Sequence, residues 1–300
     1  MDADGWRKPL TSKVYGDCGK DLRKSIAKLT RKLCTQETND ESLQGFLAAR
    51  LVPLDKQPGV RPIGVGEVLR RISGKLVMAV VKEDVIAGGS RVQMCSGQKG
   101  GSEAAIHAMR SVFESETAEA VILVDAANAF NNINRKALLH NVKVLCPIFA
   151  CYVNNCYRSP ARLFVIGGIE LKSNEGTTQG DPIGMAVYAI GITPLLNMLL
   201  STIADIQDQM AAFADDITSV GKLLSLRQWW TQITNIGPHF GYFPQPTKSW
   251  LIVKENHYEE AKAVFEGTNI QISKTGERHL GAVIGSKSFR ERYCKEMVER

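Results

Sequence analysis

The sequence contains little of what builds zinc sites or disulfide-linked folds. Its 300 residues include five histidines and seven cysteines, with no Cys-x-x-Cys and no His-Glu-x-x-His run. A zinc site therefore has little support. The odd number of cysteines and the lack of an amino-terminal apolar leader predict a reducing, intracellular setting, either nucleus or cytoplasm, with most thiols in the core.

Repeats, low-complexity tracts and a strong net charge are also missing. A hydrophobic content of 44% over 300 residues allows a large core and about two domain-sized units. The net charge is only +6, but residues 1–110 carry 19 Lys and Arg against 12 Asp and Glu. Part of this excess lies in Lys20–Leu33, whose spacing predicts an amphipathic basic helix. Such a helix could bind a nucleic-acid backbone, lie on a membrane or keep its outer face soluble.

One long stretch has no charge at all. The twenty-three residues from Pro182 to Ala204 lack Lys, Arg, Asp and Glu, which is long enough for a transmembrane helix. Two prolines, two glycines and several polar residues interrupt it, and proline at a first helical turn is an ordinary helix start. We therefore predict a buried helix of the protein core and no membrane partner.

Aspartates follow two apolar segments. Ala120–Val124 is typical of a buried strand and ends at Asp125, while Met210–Ala214 runs into Asp215-Asp216 and resumes at Ile217. The second pattern predicts a β-hairpin with two acids at its tip. If these strands are neighbours, the carboxylates emerge side by side and suit a pair of Mg²⁺ ions about 3.5–4 Å apart, as in nucleotidyl transfer. Taken alone, Asp-Asp is more commonly just a polar hairpin turn.

The surrounding residues resemble a known family. Asp-Ala-Ala-Asn-Ala-Phe at 125–130, Gln-Gly-Asp-Pro at 179–182 and Phe-Ala-Asp-Asp at 213–216 resemble motifs A, B and C of reverse transcriptases, particularly those of non-LTR, LINE-like retrotransposons. Lys56 and Arg61-Pro62-Ile63 are similar to the fingers motifs, Lys248-Ser249 to motif D, and 279–284 to motif E, the primer grip. The resemblance covers nearly the whole chain.

This resemblance implies an α+β fold, the right-hand polymerase palm, with an antiparallel sheet backed by helices, fingers of helices and strands, and a thumb that is largely absent. Fingers would occupy 1–103, the motif A part of the palm 104–130, a fingers insertion or palm edge 131–175, the rest of the palm 176–285, and the start of a truncated thumb 286–300. Local patterns predict helices at 20–35, 67–86, 102–116 and 223–236 and a hairpin at 161–173.

The implied activity is that of the RNA-directed DNA polymerase core of a retrotransposon. Its partners would be an RNA template, a DNA primer, dNTPs and further domains of the same element-encoded protein. Two Mg²⁺ ions, for which Mn²⁺ can substitute, would be held by Asp125, the main-chain carbonyl of Ala126 and Asp215, with Asp216 as a weaker ligand.

Further roles follow from the same resemblance. Lys248 would protonate the leaving pyrophosphate, although a surface lysine in a loop is the simpler alternative. Phe130 would exclude a ribose 2′-hydroxyl, Asp181 is a secondary candidate that could instead cap a helix starting at Pro182, and Gly180 would allow close approach of template or nucleotide. The remaining candidates are the nucleotide-binding residues Lys56, Arg61 and Gln179, and the primer-grip residues Leu280 and Gly281.

Two other hypotheses stay open. The chain could be a catalytically silent, truncated retroelement remnant that at most binds nucleic acid, since no thumb is recognisable after motif E. A group II intron maturase-like relative is the second alternative. A primer-extension assay distinguishes an active polymerase from a silent remnant.

Overall fold

The computed structural model describes residues 16–56, 59–202 and 210–299. Its α-helices are α1 (Gly16–Thr35), α2 (Asp40–Leu47), α3 (Val68–Gly88), α4 (Gly101–Glu114), α5 (Ala129–Asn132), α6 (Arg135–Leu145), α7 (Pro147–Tyr157), α8 (Gly184–Thr202), α9 (Leu223–Ile236), α10 (Tyr258–Val264) and α11 (Lys287–Val298). Its strands are β1 (Ala49–Asp55), β2 (Val60–Gly66), β3 (Ala120–Val124), β4 (Ala161–Phe164), β5 (Glu170–Ser173), β6 (Met210–Phe213), β7 (Asp216–Gly221), β8 (Trp250–Val253), β9 (Gln271–Ser273), β10 (Gly276–His279) and β11 (Ala282–Gly285).

The chain forms two compact units. The first unit consists of the described residues within Met1–Gly88 and Ile133–Gly191, and the second of those within Gly89–Asn132 and Ile192–Arg300. Each unit is therefore built from two separate stretches of the sequence. Helices and mixed sheets occur in both, which confirms the predicted α+β class.

The second unit is organised around a five-stranded sheet in the order β6-β7-β3-β8-β9. Strand β3 lies between β7 and β8, and all five of its residues are buried. Consecutive side chains of a strand point to opposite faces. Val121 and Leu123 pack with Met109 and Phe113 of α4, while α9 also contacts β3 and β7. Burial on both faces explains why β3 is apolar throughout.

One pair of strands departs from the predicted antiparallel palm sheet. β6, β7, β3 and β8 pair antiparallel, but β9 joins β8 in parallel. The chain between β8 and β9 contains α10, and a crossover of this kind is what a parallel pair requires. A similar exception occurs in the first unit, where β1 pairs with β4 in parallel.

Most of the charge-free segment forms helix α8, and its residues 203–204 lie outside the described part of the chain. Its window Gly184–Ser201 is long and apolar enough to cross a membrane, and 72% of that window is buried inside the protein. The prediction of a buried helix is confirmed, although the helix begins at Gly184 and not at Pro182. Its polar residues have partners, because the Ser90 backbone N–H donates to Thr193 Oγ1 (3.0 Å) and the Ser90 hydroxyl donates to Asn197 Oδ1 (2.9 Å).

The first unit contains the sheet β2-β1-β4-β5 and the helices α1, α3, α6 and α7. Helix α1 buries Ile26 and Leu33 on one side and exposes most of its basic residues on the other, as its spacing predicts. The predicted helices at 20–35 and 67–86 are confirmed as α1 and α3. The predicted hairpin at 161–173 is confirmed as β4 and β5, with Gly167 and Gly168 at positive φ in its turn.

A buried ion pair fixes the chain just before α8. Arg70 of α3 donates from Nη2 to Asp181 Oδ2 at 2.5 Å, and both side chains are at most 5% exposed. The Tyr157 hydroxyl donates to the same oxygen (2.7 Å), and the Ile183 backbone N–H donates to Oδ1 (3.2 Å). Asp181 therefore does more than cap a helix, because it compensates a buried guanidinium.

We expect Asp181→Asn to lower the free energy of unfolding by about 3 kcal/mol or more, since removing one partner leaves a buried charge uncompensated. Chemical denaturation measures this value. Glu170→Gln is the matched control, because it breaks the exposed Arg162–Glu170 pair of the same unit and should leave stability nearly unchanged. Equal effects of the two substitutions would contradict a structural role for the buried pair.

Candidate active site

Three aspartates meet at one end of the second unit's sheet. Val124 of β3 pairs with Ile217 of β7, so the next residues along this register, Asp125 and Asp216, lie opposite each other. The β6–β7 pairing ends with Phe213 opposite Asp216. Ala214 and Asp215 therefore form a two-residue turn, which confirms the predicted hairpin and places Asp216 as the first residue of β7.

The backbone around Asp125 is fixed by the segment before β8. The Asp125 N–H donates to the Ser249 hydroxyl (3.1 Å), and the Gln245 N–H donates to the Asp125 carbonyl (2.8 Å). The Ala127 N–H donates to the Phe243 carbonyl (2.9 Å). These bonds lie on either side of Ala126, and backbone carbonyls alternate in direction along an extended chain. The Ala126 carbonyl therefore points away from this segment.

The three carboxylates influence one another electrostatically. Burial, together with the negative charges of Asp215 and Asp125, raises the pKa of Asp216 to about 7. Tyr242 lies beside the same acids, because its hydroxyl donates to the Asp215 carbonyl (2.9 Å). Burial, together with the negative charges of the three acids, raises the pKa of Tyr242. The cluster thus concentrates negative charge that a cation would compensate.

The donor atoms suit a hard divalent cation. Carboxylate and carbonyl oxygens are the ligands of Mg²⁺ and Mn²⁺, whereas zinc prefers nitrogen and sulfur. Within 16–56, 59–202 and 210–299, no group of three or more His, Cys, Asp or Glu side chains is arranged to hold a metal ion. Mg²⁺ usually takes one or two carboxylates and completes its shell with water and substrate phosphates. The aspartates fit such an open site and do not form a closed cage.

Two further predicted residues lie in the same unit. Phe130 is half-buried in the short helix α5, which Asn132 ties to the motif A segment by donating from Nδ2 to the Ala127 carbonyl (2.8 Å). Lys248 is exposed at the end of the 3₁₀ turn Pro246–Lys248. Its exposed position is also what a surface lysine in a loop would show.

The predicted primer-grip residues form the tip of a hairpin. Leu280 and Gly281 connect β10 to β11 with φ values of 49° and 82°, as a tight two-residue turn requires. The preceding His279 is buried, and its Nε2 shares a hydrogen bond with Thr218 Oγ1 of β7 (2.8 Å). Burial lowers the pKa of His279 to about 4, so the imidazole is neutral at physiological pH. This bond links the motif E hairpin to the strand that carries Asp216.

The motif B residues lie in the first unit, against strand β2. The Gly64 N–H donates to the Gln179 carbonyl (2.8 Å), and Gly180 has a φ of 100°. A Cβ at Gly180 would be 2.7 Å from the Gly64 carbonyl oxygen. Glycine is therefore required here by the chain's own backbone. Arg61 lies exposed on β2 and Lys56 lies exposed after β1, so the structure brings the Gln179-Gly180 turn to the strand that bears Arg61.

Sequence reasoning missed the residues that hold the aspartates in place. Ser249 and Tyr242 act through hydrogen bonds to main-chain atoms, and Gln93 bonds the backbone of Ala214 in the same manner. Of these, only Ser249 falls within a motif, Lys248-Ser249, and that motif predicts no role for it. No local spacing signals such pairings.

We expect Asp216→Asn to stabilise the metal-free protein at pH 8. A carboxyl whose pKa rises on folding contributes stability that is complete below its ordinary value of 3.8 and is lost as pH rises to about 7. Thermal unfolding in EDTA should show a higher Tm for the variant at pH 8, by roughly 2–4 °C for each kcal/mol of repulsion removed. The difference should shrink towards pH 4.5, and equal differences at both pH values would contradict the repulsion.

Comparisons with known proteins identify the family. Residues 54–254 match the family described as Reverse transcriptase (RNA-dependent DNA polymerase). The Retrotransposable element SLACS 132 kDa protein of Trypanosoma brucei gambiense is 26% identical over 223 residues, which cover 72% of this chain and 18% of that protein. The chain therefore spans less than a fifth of this relative.

Solved telomerase structures share the fold. Apo telomerase from Candida tropicalis superposes with a TM-score of 0.60 at 12% identity, over 88% of this chain and 52% of that one. Telomerase from Candida albicans in complex with the TWJ fragment of telomeric RNA gives 0.55 at 10% identity, over 79% and 46%. The family match over two thirds of its length shows that the chain belongs to the reverse transcriptase family.

Proposed function

We propose that this chain is the polymerase core of a retrotransposon reverse transcriptase, which adds dNTPs to a primer 3′-hydroxyl along an RNA template. The observation that carries this proposal is the convergence of Asp125, Asp215 and Asp216 at one end of the sheet. The retrotransposon relative supports the same proposal. RNA template, DNA primer, dNTPs and further domains of a longer protein are its proposed partners.

The aspartate cluster is the proposed metal site. Asp125 and Asp215 would hold two Mg²⁺ ions, with the Ala126 carbonyl as an additional ligand and Asp216 as a weaker one. When bound, the ions favour ionisation of the primer hydroxyl and neutralise the charge of the triphosphate and of the departing pyrophosphate. Ser249 and Tyr242 support this role, because both fix the main chain of a proposed ligand.

Further roles are proposed for residues of each unit. The planar guanidinium of Arg61 would bind the β- and γ-phosphates, with Lys56 assisting. Lys248 would deliver a proton to the pyrophosphate, and its exposure leaves the ammonium accessible. Gln179 and Gly180 would contact the nucleotide, and Leu280 and Gly281 would contact the primer. Most of the palm would be formed by residues 89–132 and by those after Gly191. The boundaries at 103, 130, 175 and 285 are predictions.

Primer extension tests the polymerase directly. Purified protein with an RNA template, a DNA primer, dNTPs and Mg²⁺ should extend the primer, and Asp215→Ala should reduce the rate at least about a hundredfold, since even residues that only support a metal ligand are worth 10–100-fold. Asp84→Ala, at an exposed position of α3, is the matched control and should retain the wild-type rate. Salt-sensitive binding of the template without extension would contradict the polymerase and favour the silent remnant.

Sugar selection tests the role of Phe130. With Phe130→Val, we expect the ratio of kcat/KM for dNTPs over rNTPs to fall at least about tenfold, which is about 1.4 kcal/mol, because the smaller side chain leaves room for a 2′-hydroxyl. Phe113→Val, in the buried core of the same unit, should lower Tm without changing the ratio. An unchanged ratio in Phe130→Val would refute the assignment.

A further inference from the structure

Gln93 is a buried polar residue that none of the family motifs explains. Its side chain is 1% exposed, and it lies in the segment that precedes α4, within the second unit. Glutamine is mostly found at protein surfaces, and a buried amide needs hydrogen-bond partners. Its position therefore calls for a specific interaction.

That interaction is with the turn that carries the aspartates. Gln93 Nε2 donates to the Ala214 carbonyl (3.1 Å), and the Ala214 N–H donates to Gln93 Oε1 (2.9 Å). One carboxamide thus pairs with both polar groups of a single buried residue. A hydrophobic side chain of the same size would fill the space and leave both main-chain groups unpaired.

Ala214 needs such support because its backbone is unusual. It has a φ of 56°, which residues with a Cβ rarely adopt. It is followed directly by Asp215 and Asp216. The conformation of Ala214 therefore sets the directions in which the next residues leave the turn.

The segment around Gln93 is itself held in place. The Met94 N–H donates to the Ala212 carbonyl (2.7 Å), and the Ala212 N–H donates to the Val92 carbonyl (2.8 Å), so residues 92–94 run beside β6. Ser90, three residues earlier, is anchored on α8 through Thr193 and Asn197. Gln93 can therefore hold the turn because its own backbone is fixed on both sides.

We propose that Gln93 is a positioning residue, which holds Ala214 at positive φ and thereby directs the carboxylates of Asp215 and Asp216 towards Asp125. This inference rests on the proposed polymerase function of the same site. Gln93 is not among the proposed ligands of substrate or metal. Its loss should weaken metal binding and slow catalysis, while nucleotide binding by other residues continues.

The test compares Gln93→Met with a matched change in the other unit. Asn155 is also a buried amide that bonds main-chain groups distant in sequence. It accepts from the Thr38 N–H and donates to the Leu33 and Gln36 carbonyls, all within the first unit. We expect Gln93→Met to weaken Mn²⁺ binding, measured by electron paramagnetic resonance, at least about tenfold. It should also lower kcat in primer extension while KM for dNTPs changes less than about twofold. Asn155→Leu should lower Tm and leave Mn²⁺ affinity unchanged.

Gln93→Asn keeps the amide but is one methylene too short to reach both groups of Ala214, so it provides a milder variant if Gln93→Met does not fold. It should also weaken Mn²⁺ binding. Hydrogen exchange followed by mass spectrometry should become faster in residues 210–221 of either variant. Wild-type Mn²⁺ affinity and unchanged exchange in a folded Gln93 variant would overturn the positioning role. Absence of Mn²⁺ binding to the wild-type protein would instead refute the proposed function. Faster exchange in the variants would still support the hydrogen-bonded hold of Gln93 on Ala214.

Discussion

The antiparallel pairing of β3 with β7 is the constraint on which the candidate site depends. Its register places Val124 opposite Ile217 and therefore Asp125 opposite Asp216. A shift of one residue would turn every side chain of β3 to the other face of the sheet. Since β3 is buried on both faces and packs between β7 and β8, such a shift would disrupt the core. The apolar strand thus determines where the acids emerge.

Placing three acids at this position is unfavourable in the absence of a cation. Burial and mutual repulsion raise the pKa of Asp216, so the fold holds the carboxylates together against their own charge. The contacts that oppose this repulsion are made to the main chain. Ser249 bonds the Asp125 N–H, Tyr242 bonds the Asp215 carbonyl, and Gln93 bonds both groups of Ala214. These contacts fix the backbone from which the carboxylates project, and a preorganised metal site requires such a fixed backbone.

Local patterns predicted the helices α1, α3, α4 and α9, the strand β3 and the Asp215-Asp216 hairpin, because each depends on residues close in sequence. Pairings between distant residues could not be predicted in this manner. Gln93 meets Ala214 across 121 residues, and Ser249 meets Asp125 across 124. Asp181 has the spacing of a helix cap, yet its main partner is Arg70, 111 residues away. The sequence predicts that Gly180 lets substrate approach, but it gives no sign that a Cβ there would also meet the Gly64 carbonyl oxygen.

A crystal structure of the chain soaked with Mn²⁺ and a dNTP, with anomalous diffraction, tests most directly whether the aspartates share divalent ions. The expected result is an anomalous peak within coordination distance, about 2.0–2.3 Å, of carboxylate oxygens from both Asp125 and Asp215, which disappears in Asp125→Asn. Full occupancy of a Mn²⁺ site elsewhere, with no peak between these two side chains, would contradict the convergence on which the proposed chemistry depends.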